Sequence, residues 1–192
     1  MALNHQAYHI QALVLHKKDI SQRHRRVLMS SDTIPFFWAK AYGAAHSSRL
    51  SSLTSPFALI QAKIIDSPYG WQIEDCHGIE FFAHINESLD YFHMVCDWVK
   101  HLIKTSGAGE DNRLFQSILP LMRATHQERN IDMLDVLFYA RFLHLQGLLP
   151  EFVKGQASAG LLHHEIEHYE NWDFNWPALK TELKDYVKRN NF

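Results

Sequence analysis

Two groups of residues in this chain have types and spacings that could do chemistry. The first is His164-Glu165-Ile166-Glu167-His168, which fits H-E-x-x-H. On a helix, histidines at i and i+4 share one face and can bind zinc, with the glutamate between them placed as general base for hydrolysis. Two details weigh against that use. Glu167 would put a further carboxylate on a helix that such enzymes bury, and a third ligand would have to come from Glu182, Asp185 or elsewhere in the fold. A solvated, His-rich helix end accounts for the same five residues and is the expectation here. The chain carries 14 histidines, and those outside this pattern (His5, His9, His16, His24 and others) follow no ligand spacing. No metal and no cofactor is expected.

The second group is cationic. Lys17-Lys18-Asp19 and Arg23-His24-Arg25-Arg26 are close together, and Lys40 and Arg49 follow. Residues 1–63 carry eight Lys or Arg against Asp19 and Asp32, a balance of +6, whereas residues 64–192 balance to −8. The formal net charge of −2 conceals this split. Cations gathered in one part of a chain are the electrostatic footprint of a polyanion-binding surface. Phe36, Phe37 and Trp38 lie just before Lys40. Charges that track phosphates beside rings that accept any base are what single-stranded nucleic acid requires. Aromatic residues within a strand usually face the core, so Phe36 and Trp38 are expected to be buried.

The elements that must position these residues change character along the chain. His9–His16, Val27–Ser30, Thr33–Ala39, Phe57–Ile65 and Trp71–Cys76 are short apolar runs rich in strand formers. Ser31-Asp32 and Ser67-Pro68-Tyr69-Gly70 between them are turns by composition, and Ser47–Ser52 reads as a polar loop. Five strands over about 75 residues fit a small barrel. After Glu80 the period becomes helical. A helix capped by Asn86 or Ser88 carries Leu89, Phe92, Val95, Val99, Leu102 and Ile103. Next come a loop at residues 106–109, a helix over Glu110–Thr125 kinked by Pro120, and Asp132–Gln146, apolar nearly all round and so central in a bundle. Gly147 and Pro150 stop that helix. Two more are expected near Leu161–Tyr169 and Pro177–Asn190. The fold class is α+β, with a basic β domain over residues 1–80 and an all-α domain over residues 81–192.

Composition narrows the function. With 46% apolar and 21% charged residues the chain is an ordinary globular one. No run approaches the roughly 18 apolar residues of a membrane span, so no membrane partner is expected. Met1-Ala2-Leu3-Asn4-His5 is unlike a signal peptide, and Cys76 and Cys96 match no metal or redox spacing, which together lead to the expectation of a cytoplasmic protein with reduced thiols. Neither G-x-x-x-x-G-K-[ST] nor G-x-G-x-x-G occurs, and no Ser/His/Asp or Cys/His signature is present. The chain is not expected to be an enzyme.

Several segments, taken in order, resemble a known family. Ala12–Ile20 followed by Val27–Ser30 is similar to the opening of the bacterial DNA repair protein family RecO, an apolar strand, a basic-Asp turn and a second apolar strand. Ala39-Lys40-Ala41-Tyr42-Gly43 with Ser48-Arg49-Leu50 resembles the family's A-K-G-x-R segment with an insertion, and Leu53-Thr54-Ser55-Pro56-Phe57 its L-Q-P-F turn. Phe138–Leu143 followed by Gly147 and Pro150 looks like its F-x-L-R-L-L helix and stop. The likeness covers about residues 8–155. It implies a five-stranded OB-fold followed by a helical domain, and a recombination mediator that binds single- and double-stranded DNA, anneals strands and works with RecR and with the C-terminal tail of the single-stranded DNA-binding protein SSB. By position it implies Lys17, Lys18, Lys40 and Arg49 as phosphate contacts, and Arg141 fits the general pattern of the SSB contact. Arg23, Arg25 and Arg26 join the phosphate set on charge alone. Residues 151–155 lack the cysteines with which many relatives hold zinc, and residues 156–192 resemble nothing in the family. Two other functions fit the same residues: a protein-interaction module of barrel and helices with little affinity for DNA, and, more remotely, the zinc hydrolase of His164 and His168.

Overall fold

A computed structural model of the chain describes residues 6–44, 48–105, 113–125, 130–153 and 175–190. It divides into two compact units, residues 1–83 with 107–115 and residues 84–106 with 116–192. The first is built on five strands, β1 (Ala7–Asp19), β2 (His24–Ser31), β3 (Phe36–Tyr42), β4 (Ala58–Ile65) and β5 (Trp71–Phe81). They close into a barrel in the order β1-β2-β3-β5-β4. β1 is long enough to serve two neighbours, pairing antiparallel with β4 over Ala7–Val14 and with β2 over Ala12–Asp19. The pairing with β2 slips by one residue between Val14 and His16, the kind of bulge that bends a strand around a small barrel. A short parallel pairing of β3 with β5, Ala39–Ala41 against Trp71–Ile73, completes closure and leaves no open edge.

The interior follows from alternation. Ile10, Ala12 and Val14 from β1, Val27 and Met29 from β2, Phe37, Ala39 and Ala41 from β3, and Ile60, Ala62 and Ile64 from β4 form one core. Bulky and small residues alternate there, which lets a narrow barrel fill without voids. The β4–β5 turn is the expected one. Gly70 takes φ of 91°, a left-handed value open to glycine, and its N–H donates to the Ser67 carbonyl at 2.8 Å.

Ser47–Ser52, expected as a loop, is replaced by a helix, α1 (Ser48–Leu53), between β3 and β4. Buried Leu53 and half-buried Leu50, three residues apart, anchor it to the barrel core. The Thr54 hydroxyl donates to the Leu50 carbonyl at 2.7 Å at its end. The local composition is polar because two apolar positions suffice to dock so short a helix.

The second unit contains α2 (Ala83–Glu87), α3 (Leu89–Thr105), α4 (Arg113–Ala124, of which Arg113–Phe115 fall in the first unit), α5 (Ile131–Leu145) and α6 (Trp176–Arg189). Eleven consecutive residues of α5, Met133–Leu143, are buried, as the all-round apolar pattern requires. Asn130 caps it, accepting from the N–H groups of Asp132 and Met133 at 3.0 and 3.1 Å. Gly147, at φ 71°, ends it, with Leu148 N–H donating to the Leu143 carbonyl at 2.8 Å. Trp98 of α3 stacks on Phe138 of α5 at 4.8 Å, and its indole N–H donates to buried Asp135 at 2.8 Å. Pro120 lies inside α4 as expected. The helix expected near Leu161–Tyr169 lies outside the described residues. Among the described residues no helix is long and apolar enough to cross a membrane.

Candidate nucleic-acid interface

Cross-strand register decides which cations share a surface. Lys18 of β1 is opposite Arg26 of β2, and Arg26 is opposite Lys40 of β3. Directly opposed residues on neighbouring strands point to the same side. Their strand neighbours Val27, Ala39 and Ala41 belong to the interior, so Lys18, Arg26 and Lys40 form a row on the outer face, about 10 Å across two inter-strand steps. The next row along the same face is His16, Leu28 and Trp38, and beyond the cations His24 is opposite Tyr42. The face thus alternates cation and ring.

These side chains touch one another. The Arg26 guanidinium carbon lies 5.2 Å from the Trp38 ring centroid, and His16 meets the same indole edge-on at 6.0 Å. His24 meets Tyr42 edge-on at 4.9 Å. Lys18, Arg26, His16 and Tyr42 are exposed, and Lys40, Trp38 and His24 are half-buried. On β1, β2 and β3 the only carboxylate is Asp19, and it belongs to the opposite face. Among the described residues no acid pairs with Lys18, Arg26 or Lys40, whereas Lys63 on β4 is paired with Glu74 of β5.

Arg25 departs from the expectation. It is opposite Ala41, so it points inward, and it is 5% exposed at the barrel end. Its Nε donates to Asp19 Oδ1 at 2.7 Å, and Nη1 donates to the Ser51 carbonyl at 3.2 Å and the Thr54 hydroxyl at 3.1 Å. The hydrogen bond and charge of Arg25 hold the Asp19 carboxyl below its ordinary value. Arg25 therefore fastens α1 to the barrel, with its Nε and Nη1 donors engaged within the protein. Lys17 is exposed but opposite Val27, on the other face from Lys18. Arg23 is exposed in the β1–β2 turn, where Ser21 Oγ accepts from its backbone N–H at 3.2 Å. The side chain of Arg49 lies outside the described residues, as do His164, Glu165 and His168.

The aromatic expectation is corrected by parity. Phe37, not its neighbours, enters the core, and Phe36 and Trp38 are half-buried on the outer side. His16, His24 and Tyr42 were not singled out as partners of the cations from the sequence. The signal for them was present: once Phe37, Ala39 and Ala41 are assigned inward, Phe36, Trp38, Lys40 and Tyr42 fall together at period two. Arg141, expected at a partner surface, is 4% exposed, and its Nη1 donates to the Ser117 carbonyl of α4 at 3.2 Å. It ties two helices together and is not presented to a partner.

Among the described residues no three His, Cys, Asp or Glu side chains converge as a metal site. What the outer face of β1–β3 can do is bind: it sets cations among rings, with no acid paired to them among the described residues. No protein-family model and no curated protein matches the chain.

Proposed function

We propose that this chain is a DNA-binding protein of the RecO kind, which holds single- and double-stranded DNA by its backbone without reading sequence. In this reading the barrel is an OB-fold. The strand order β1-β2-β3-β5-β4 and a helix between β3 and β4 support it. An OB-fold presents its β2–β3 face and the β1–β2 loop to oligonucleotides, which are the places of Arg26, Trp38, Lys40 and Arg23. Phosphates supply the affinity, and neutralising two backbones at once would let complementary strands approach, a route to annealing and recombinase loading, with RecR and SSB as partners, that breaks no covalent bond.

The single observation that carries this reading is the row Lys18–Arg26–Lys40, which no acid among the described residues pairs with. Its test is fluorescence anisotropy with a labelled oligonucleotide across a salt series. Affinity is expected to fall linearly with salt on a log–log plot, and the triple substitution Lys18→Ala, Arg26→Ala, Lys40→Ala to flatten the slope by about 2, at roughly 0.7 per single-strand phosphate contact. A slope unchanged by the three substitutions sinks the reading. Weak oligonucleotide binding at about 0.15 M salt, together with binding of the SSB tail peptide, would favour a protein-interaction module instead.

A further inference from the structure

We infer that Arg26 and Trp38 form an exchange pair that makes base stacking conditional on phosphate contact, and so gives the site a preference for unpaired strands. The inference rests on the DNA-binding reading of the same face and deepens it. In the free protein the guanidinium, which pairs with no carboxylate among the described residues, rests over the Trp38 indole at 5.2 Å, drawn by the negative face of the ring. His16 meets the indole in a T-shaped contact at 6.0 Å, and Leu28, opposite both in register, is buried. The ring is therefore half-buried, with an exposed cation over one face.

An arriving phosphate offers that cation a charge-assisted, bidentate partner, which a ring face does not. When the guanidinium turns to the phosphate, the indole face opens beside it, within reach of the base carried by the same or the adjacent nucleotide. An unpaired base can stack there. A duplex presents the same phosphates but keeps its bases stacked within, so it collects only the electrostatic half. One residue pair thus distinguishes the two forms of DNA without reading sequence.

The test uses the full chain and three labelled probes of equal phosphate number: a thymidine oligomer, the same backbone with abasic sites, and a duplex. The parent protein is expected to bind the thymidine oligomer roughly tenfold more tightly than the abasic strand, as one stacked base allows. Trp38→Leu, which keeps apolar bulk and removes the ring, is expected to bring that ratio to about one. Trp38→Phe is expected to retain part of it, which separates loss of stacking from loss of fold. Arg26→Ala is expected to weaken abasic binding and raise the ratio, because nothing then covers the indole. Lys18→Ala is expected to weaken both strands equally. A parent ratio near one, with abasic binding still dependent on Lys18, overturns the exchange pair and leaves the DNA reading standing. A ratio untouched by Trp38→Leu also overturns it. Failure of every probe to bind removes both.

Discussion

The guanidinium groups of Arg25 and Arg26 leave adjacent residues in opposite directions, and their environments assign them different work. Arg26 meets a ring and solvent; Arg25 meets Asp19, the Ser51 carbonyl and the Thr54 hydroxyl under α1. Removing a buried guanidinium takes a donor from the Ser51 carbonyl and the Thr54 hydroxyl and leaves a void under α1, so Arg25→Ala is expected to cost about 1–3 kcal/mol in urea unfolding. Asp19 supplies a pH signature for the same contact. Its native value is depressed, first by the hydrogen bond from Arg25, so its contribution to stability is fully present above the ordinary value of 3.8 and is lost as the pH falls through the lower native value. Asp19→Asn is therefore expected to unfold at lower urea than the parent at pH 7. The gap should close in acid, once the native carboxyl is protonated as well. An equal gap at every pH would show that the substitution acts through something other than this ion pair.

At the scale of elements, the helical unit shows how a polar group is kept inside an apolar one. Asp135, 1% exposed on α5, accepts from the Trp98 indole and faces Lys184 at 2.8 Å and Lys180 at 3.4 Å from α6. Burial alone pulls the Lys180 ammonium down, but the hydrogen bond to Asp132 and the charges of Asp135 and Asp132 outweigh it and hold the group above its ordinary value. Burial, with the charge of Asp135, pushes the Tyr139 hydroxyl up. Asp135→Ala would strand a buried indole N–H and the half-buried Lys184 ammonium, while Lys180 keeps Asp132 at 2.7 Å, and is expected to cost about 3 kcal/mol in urea unfolding. Asp135→Asn, which keeps an acceptor for Trp98, is expected to cost less than half of that. A smaller loss for alanine than for asparagine would mean that Lys184 does not depend on Asp135. This joint was not legible in the sequence, since Trp98, Asp135 and Lys184 are joined only by tertiary packing. The five strands and α5 were legible, because alternation and continuous apolarity are local. Helix α1 was not, because its polar composition hides the two leucines that dock it. At the candidate site the cations were visible individually. Which of them share a face depends on the bulge after Val14 and on the β1–β2–β3 register, and neither is written in any short stretch.

For the molecule as a whole, the relevant quantity is the distance over which its charges act. The chain carries a formal net charge of −2 with 14 neutral histidines, and its pI is about 6.7. Imidazoles as a class gain charge between about pH 8 and 5, so net charge changes sign within a mild acidification. That field adds to the local row of Lys18, Arg26 and Lys40 only where solvent ions allow it to reach the ligand. The screening length is about 30 Å at 0.01 M salt and below 10 Å above 0.1 M. Lowering the pH from 7.5 to 6 is therefore expected to tighten oligonucleotide binding strongly at 0.01 M salt. At 0.3 M it should tighten it only slightly, as only groups close to the bound strand are then felt. Anisotropy titrations at the four combinations of pH and salt measure this directly. A pH effect of the same size at both salts would place the titrating groups in contact with the strand.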